Sequence, residues 1–403
     1  MIADVRTQPR KPATAATHAV SPKHYFTAID GLRLIAAVNI VLFHAQQSGA
    51  FHEMHGKPWW FFAIVKGPAF HASLFFVLGG FIYTIKHAAA ADRFSTRAFL
   101  RKRLAALYPL HVITTLAMVP FAVWGASEMG AWRLTGKMAL SVGMHLSFLW
   151  SFFPFGTFAL NRPSWALGAF FLCYLFFGPI LRRVVRIENR RSVLAACVGC
   201  CAVPLAWAAV YGLVLARFGY DSERYFFFHV FPPVRMAEFV LGMLLARLYQ
   251  VSTFKTGGTS IWNRPIGNDL LIAATFALIF GNLLLQARGG LFVKYLGYHA
   301  LALPLFALLV YRFGRGTGLF PRFTSIPLVR RLGQASFYPY LLHIPCMGWL
   351  TWALAHFAGY RAFLHYGVNV FLFVALLYVG SMVYMEMLSR KRRRARQQAA
   401  GEA

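Results

Sequence analysis

The clearest chemistry in the sequence lies in its first long apolar stretch, residues 28–47. Arg33 and His44 are both ionisable, and an ionisable side chain inside a membrane span is costly enough to indicate a function. They are eleven residues apart, about three turns of an α-helix, so they face the same side, roughly 16 Å apart along the axis. Histidine titrates near neutral pH and can act as a general base, whereas a guanidinium binds anionic oxygens. The alternative interpretation is that Arg33 reaches the interface and His44 is a hydrogen-bonded core histidine.

Three other segments place polar side chains in or beside apolar stretches. Ser336, Tyr340 and His343 follow one another at i, i+4 and i+7, so they share one helical face that should point into a bundle. Arg235 and Glu238 at i, i+3 suit either a structural ion pair or a substrate contact. Arg101 and Arg103 form a basic cluster before an apolar helix, which ordinary anchoring at the cytoplasmic face also explains.

Composition indicates that these residues are held by a membrane protein. Of 403 residues, 58% are hydrophobic and 13% charged, against about 25% charged in soluble domains, and the mean hydropathy is +0.54. The net charge is +29, from 41 Lys+Arg and 12 Asp+Glu. Two explanations fit this excess: basic residues concentrated in cytoplasmic loops, and a site for an anionic ligand. The basic residues are scattered in short clusters, which argues against nucleic-acid binding. No metal-ligand cluster is apparent, and the five cysteines suit apolar packing.

The apolar stretches and basic connections together predict a topology. A spanning helix needs about 20 mostly apolar residues, and we find eleven such segments: 28–47, 68–85, 104–124, 137–153, 164–181, 192–216, 232–249, 268–286, 294–312, 336–357 and 365–388. The connections 86–103, 182–191 and 312–331 and the tail 390–396 are strongly basic, and 250–267 mildly so, which places them in the cytoplasm. An even number of crossings must then separate 86–103 from 182–191.

One of the three segments between those two loops therefore does not cross. The weakest is 137–153, which is short and carries His145, and we interpret it as re-entrant or packed against the bundle. The sequence thus predicts an all-α integral membrane protein with about ten transmembrane helices and both termini cytoplasmic. Residues 1–24 are expected to be a disordered cytoplasmic arm, 25–388 a single transmembrane domain, and 389–403 a basic cytoplasmic tail.

Taken in order, these motifs resemble the membrane-bound acyltransferase 3 family from about Tyr25 to Glu386. The most specific element is an Arg followed by a His eleven residues later, met by Arg33 and His44. The other matching elements are Arg101-Lys-Arg103 with Tyr108-Pro109, Asn161-Arg-Pro163-Ser-Trp165-Ala-Leu167 with Tyr174, Arg235 with Glu238-Phe239 and Gly242, and Ser336 to His343 with Pro345. Two positions depart from the family pattern: Phe170 replaces a usual Glu, and Phe337 a usual Tyr.

The resemblance implies a multi-pass enzyme of the bacterial inner membrane that moves an acyl group, usually acetyl, onto a hydroxyl of an extracytoplasmic glycan or lipid-linked sugar. Acetyl-CoA is the implied co-substrate, with no permanently bound cofactor. In this interpretation His44 is the general base, and three arginines bind the donor: Arg33, Arg101 and Arg103. Residues expected to bind the acceptor or the oxyanion are Trp165, Arg235, Glu238, Ser336, Tyr340 and His343.

Two other functions fit the same composition. A secondary transporter would also use intramembrane Arg, His and Glu, although we find no internal two-fold repeat of the kind common in transporters. A non-catalytic glycan or lipid carrier of the same fold is left open by Phe170. Loss of an acyl group from envelope glycans on deletion of the gene would separate the enzyme from both.

Overall fold

The computed structural model describes residues 26–48, 71–125, 130–153, 160–213, 226–253, 261–288, 297–360 and 363–401. Within these ranges every regular element is helical and none is a strand, as the sequence predicts. The expected N-terminal arm, 1–24, lies outside the described residues. The C-terminal tail, expected after residue 388, is helical and continues the last helix to Gly401.

Fourteen α-helices follow one another along the described parts of the chain. They are α1 (Phe26–Gln47), α2 (His71–His87), α3 (Thr96–Leu116), α4 (Val119–Trp124), α5 (Ala131–Leu146), α6 (Trp165–Val185), α7 (Arg190–Leu213), α8 (Pro232–Thr253), α9 (Pro265–Arg288), α10 (Leu303–Gly314), α11 (Leu319–Thr324), α12 (Pro327–Ala335), α13 (Phe337–Phe357) and α14 (Gly367–Gly401). Proline in the first turn begins several of them, including α8 and α12, because its missing N–H is not needed there. Ser95 caps α3 by accepting from the Ala98 amide at 3.3 Å.

Seven helical stretches in the described residues are long and apolar enough to cross a membrane. They are Thr27–Gln47, His71–Ala90, Thr96–Trp124, Arg162–Val185, Arg190–Tyr211, Pro265–Gln286 and Gly367–Lys391. Each coincides with a span expected from sequence. The other three expected crossings, 232–249, 294–312 and 336–357, are also largely helical. The total of ten crossings and the cytoplasmic termini remain predictions.

The segment expected not to cross, 137–153, is not one continuous helix. Helix α5 ends at Leu146, Phe148 adopts a left-handed conformation with φ of 61°, and a single 3-10 turn follows over Leu149–Phe152. His145 is held on both ring nitrogens: Nδ1 donates to Ser141 O at 2.8 Å, and Nε2 accepts from the Leu160 amide at 3.2 Å. This histidine is therefore a structural one that anchors the chain ahead of α6.

The helices differ in how deeply they lie in the bundle. In α1, α2 and the stretch containing α6, 61% of the apolar window is buried, against 17% in α7. Large apolar side chains on outer helices are exposed, such as Ile113 on α3 and Val198 on α7, as expected of surfaces that face lipid. The helix that carries Arg33 and His44 is therefore central.

Glycine allows a very close contact between two helices of the core. A Cβ added to Gly80 of α2 would lie 1.9 Å from Phe239 O, and one added to Gly242 of α8 would lie 2.0 Å from Val77 O. Without side chains at these two positions the backbones of α2 and α8 approach directly, which is a common way for membrane helices to associate.

Candidate active site

The central feature of the site is a contact between two buried histidines from distant helices. His44 lies in the last turn of α1 and His343 in α13, and His343 Nε2 is 3.0 Å from His44 Nδ1. The ring centroids are 5.0 Å apart. The sequence nominated both residues, but nothing in it indicated that they touch.

The hydrogen-bond partners fix which nitrogens carry protons. His44 Nδ1 is 3.0 Å from Ile40 O, and His343 Nδ1 is 3.1 Å from Pro339 O. A carbonyl only accepts, so both Nδ1 atoms donate, and the one hydrogen on His44 Nδ1 is shared between Ile40 O and His343 Nε2, which accepts. His44 Nε2 then holds an unshared lone pair, and no hydrogen bond to it forms in the described part of the chain. This is the protonation state required of a general base.

A proline in α13 frees a backbone carbonyl that bonds the turn before α6. Pro345 lies inside α13 and has no N–H, so the Leu341 carbonyl four residues earlier lacks its helical partner. Asn161 Nδ2 donates to that carbonyl at 2.9 Å. One residue earlier, the Tyr340 hydroxyl donates to Pro163 O at 2.8 Å. The turn that precedes α6 is thus fixed to the helix that carries His343.

Arg33, nominated as a donor contact, is held at the other end of α1. Its Nη1 is 3.0 Å from Asp30 Oδ1, and Gln334 Nε2 donates to Asp30 Oδ2 at 3.0 Å. Gly333 allows this approach, since a Cβ there would lie 1.9 Å from Asp30 O. The side chain of Arg33 is still 31% exposed. Asp30 was not among the predicted site residues, although its i, i+3 spacing from Arg33 was a signal for this ion pair.

Arg101 and Arg103, the other two predicted donor contacts, differ in exposure. Arg101 is exposed on the second turn of α3, whereas Arg103 is partly buried. The Arg103 guanidinium lies over the rings of Tyr83 and Phe99, at 4.5 and 5.1 Å from the centroids. Cation–π contacts of this kind fix the side chain without neutralising its charge. Both remain predicted donor contacts.

Arg235 and Glu238 form a compact buried ion pair. Arg235 Nη1 is 2.7 Å from Glu238 Oε1, and the two side chains are 2% and 1% exposed. Ser73 of α2 joins them by accepting from Arg235 at 2.8 Å and donating to Glu238 at 2.9 Å. The Arg235 guanidinium also lies 5.6 Å from the centre of the Trp165 ring. Such burial favours the structural interpretation of this pair, and acceptor binding by it or by Trp165 stays a prediction.

Phe170, which stands where the resemblance implies a carboxylate, belongs to an aromatic cluster. Its ring stacks on Phe76 with centroids 4.3 Å apart and contacts Tyr174 and Phe239. An unpaired carboxylate in these apolar surroundings would be costly. In this chain the position contributes packing.

Ser336, the remaining nominated residue, is buried at the start of α13. Its hydroxyl donates to Leu332 O at 3.1 Å and lies 3.4 Å from the Tyr378 hydroxyl. Like Tyr340 and His343 it is buried, but its own hydrogen is already bonded.

The fold and the site together define a multi-pass helical membrane protein with a histidine pair between its first helix and a late one. The sequence profile of the acyltransferase 3 family, described as an acyltransferase domain, matches residues 26–386. The chain belongs to this family, which confirms the resemblance found in its motifs.

A curated relative agrees with this membership. The acyltransferase MdmB of Streptomyces mycarofaciens is 29% identical over 262 residues, which cover 62% of this chain and 63% of the relative. The match thus spans a little under two thirds of that protein. No solved structure matches the chain.

Proposed function

We propose that the chain is an integral membrane O-acyltransferase that moves an acyl group, acetyl in the favoured case, from cytoplasmic acetyl-CoA to a hydroxyl of an extracytoplasmic glycan or lipid-linked sugar. The observation that carries the proposal is the contact between His44 and His343. It leaves His44 Nε2 with a lone pair that no described residue shares. Family membership supports acyl transfer. The identity of donor and acceptor is part of the proposal.

The proposed reaction begins at the acceptor hydroxyl. His44 Nε2 takes its proton as the oxygen attacks the thioester carbonyl, and His343 supports the resulting imidazolium by accepting the His44 Nδ1–H bond. An orienting partner on the second ring nitrogen is a general feature of histidine bases. Because His343 acts through His44, it is a positioning residue.

The donor is proposed to enter from the end of α1 that carries Arg33. The Asp30 contact occupies Nη1 of the guanidinium, and the partly exposed remainder suits a phosphate oxygen. Roughly 16 Å of helix separates Arg33 from His44, so an extended acyl-CoA would place its phosphates near Arg33 and its thioester near His44. Arg101 and Arg103 are the further phosphate contacts in this proposal.

The test is mass spectrometry of envelope glycans from cells that lack the gene, complemented with wild type or variants at equal protein level. Wild type should restore an acyl mass increment. His44→Gln should lower acyl transfer by about 10²–10⁴-fold, the usual value of general-base catalysis. His343→Gln should retain more activity, because the glutamine oxygen still accepts a hydrogen bond.

Titration of the purified full-length variants with CoA provides the control. His44→Gln should bind CoA as wild type does, whereas Arg33→Ala should bind it more weakly. Arg33→Lys should have an affinity for CoA between those of Arg33→Ala and wild type. Normal glycan acylation by His44→Gln would contradict the mechanism, and an unchanged glycan profile in the absence of the gene would contradict the function.

A further inference from the structure

Three of the residues nominated for the acceptor or the oxyanion already use their hydrogen-bond donors elsewhere. The Ser336 hydroxyl donates to Leu332 O, and the single hydrogen of the Tyr340 hydroxyl goes to Pro163 O. His343 donates through Nδ1 to Pro339 O, and its Nε2 accepts from His44. Attack on a thioester carbonyl places negative charge on the oxygen, and enzymes stabilise it with prearranged donors. We therefore expect a further donor near the histidine pair.

Arg162 lies in the right place to be this donor. It begins the short turn Arg162–Ser164 ahead of α6, and the residues on either side of it are fixed to α13 through Leu341 O and the Tyr340 hydroxyl. Those anchors are two and three residues from His343. His343 in turn contacts His44 at 3.0 Å, so the turn is joined to the helix that carries the partner of the general base.

The Arg162 side chain is available for a ligand. It is exposed, although Asn161 and Ser164 beside it are fully buried. Across the described part of the chain it forms no hydrogen bond or ion pair. An arginine on an anchored turn, whose guanidinium has no partner among the described residues, has the form of a prearranged anion site.

We infer that Arg162 donates to the oxyanion formed during acyl transfer, an assignment that rests on the proposed function. As the acceptor oxygen bonds to the thioester carbon, its proton passes to His44 Nε2 and the carbonyl electron pair moves onto oxygen, where Arg162 N–H groups bind it. The carbonyl then re-forms, the carbon–sulfur bond breaks, and the departing thiolate takes the proton from His44. The products are the ester and free CoA.

This role predicts an effect on turnover and not on binding. The charge that Arg162 meets exists only in the transition state and intermediate, so its loss should lower kcat and leave KM for the donor unchanged. A guanidinium that held donor phosphates would show the opposite, a raised donor KM. The split between kcat and KM therefore separates the two sources of anionic oxygen.

The experiment measures release of the CoA thiol by the purified full-length chain in lipid nanodiscs. The substrates are acetyl-CoA and a glycan extract from envelopes of cells that lack the gene. Arg162→Gln should lower kcat about 10²–10³-fold, the usual effect of removing one oxyanion donor, and Arg162→Lys should fall between it and wild type. Arg183→Gln, a loss of an exposed arginine at the other end of α6, is the matched control and should match wild type.

The outcomes distinguish a failure of the role of Arg162 from a failure of the proposed acyltransferase function. If the wild-type protein releases CoA but Arg162→Gln has an unchanged kcat, or only a raised KM for the donor, the role of Arg162 is overturned and the proposed function stands. No acceptor-dependent release by wild type overturns the proposed function and the assignment with it. An Arg162→Gln protein that melts at the wild-type temperature in detergent while losing kcat supports an oxyanion role over a structural one.

Discussion

Two fully buried charges at Arg235 and Glu238 stabilise the bundle only as long as both are present. Their contact at 2.7 Å, joined by Ser73, satisfies two charged groups that are buried away from the surface. Removing one partner from such a pair leaves an uncompensated charge, whereas replacing both with apolar residues of similar size is often neutral. This difference provides a test of whether the pair is structural or binds substrate.

We predict that Glu238→Gln destabilises the protein by about 3–5 kcal/mol, and that the double variant Arg235→Met, Glu238→Leu recovers most of that loss. If the pair is structural, the double variant should also regain acyl transfer. Thermal unfolding in detergent and glycan acylation would measure the two effects. A double variant that is stable but inactive would instead assign the pair to acceptor binding.

At the scale of single residues, the sequence predicts local spacing along a helix but not contacts between distant helices. Helical spacing is a local property, and it was enough to predict one helix that carries both Arg33 and His44, which is α1. The contact from His44 to His343 joins residues 299 positions apart, and the one from Asp30 to Gln334 joins residues 304 apart. Such contacts depend on how whole helices pack, which periodicity within one segment does not encode.

Between elements, prolines and glycines determine where helices can meet. Pro345 opens the Leu341 carbonyl to Asn161, so a proline inside an apolar helix was an available signal for a polar partner elsewhere. Gly80 and Gly242 let α2 and α8 meet backbone to backbone. The sequence marks these residues as unusual in a helix, but only the packed structure shows what they contact.

We predict that Gly242→Ala destabilises the bundle by about 1–3 kcal/mol, because the new methyl group would lie 2.0 Å from the Val77 carbonyl oxygen and would force α2 and α8 apart. Gly281→Ala in α9 is the matched control, since nothing lies within 4 Å of its Cβ. Alanine favours helix over glycine by about 1 kcal/mol, so that variant should be neutral or slightly more stable. Equal melting temperatures for the two variants in detergent would contradict the close-contact explanation.

For the molecule as a whole, the arrangement in the membrane is predicted from charge. The positive-inside rule predicts that the basic connections lie on one side, and the seven described spans agree with the segments used in that prediction. Helix existence was predictable because 20-residue apolar stretches are a strong signal. The orientation depends on counting every crossing, including segments that are interrupted or polar, and so needs a direct measurement.

Reporter fusions at residues 95, 186, 320 and 395 should report the cytoplasm, and fusions at 158, 225 and 360 should report the opposite side. The basic clusters supply the physical reason, because Lys and Arg are retained in the cytoplasm. The fusion at 158 is the decisive one. A cytoplasmic signal there would mean that 137–153 crosses the membrane, and that Arg162 lies on the wrong side for the role assigned to it.

The distance in sequence between the paired histidines also has a consequence during biosynthesis. A nascent chain inserts its helices in order, so His44 enters the membrane long before α13 has been made. Until His343 arrives, His44 lacks the partner that orients it, and the anchor of the Arg162 turn on α13 is missing as well. A chain that stops short of residue 343 therefore lacks the histidine pair, and we expect such incomplete products not to carry out the proposed acyl transfer.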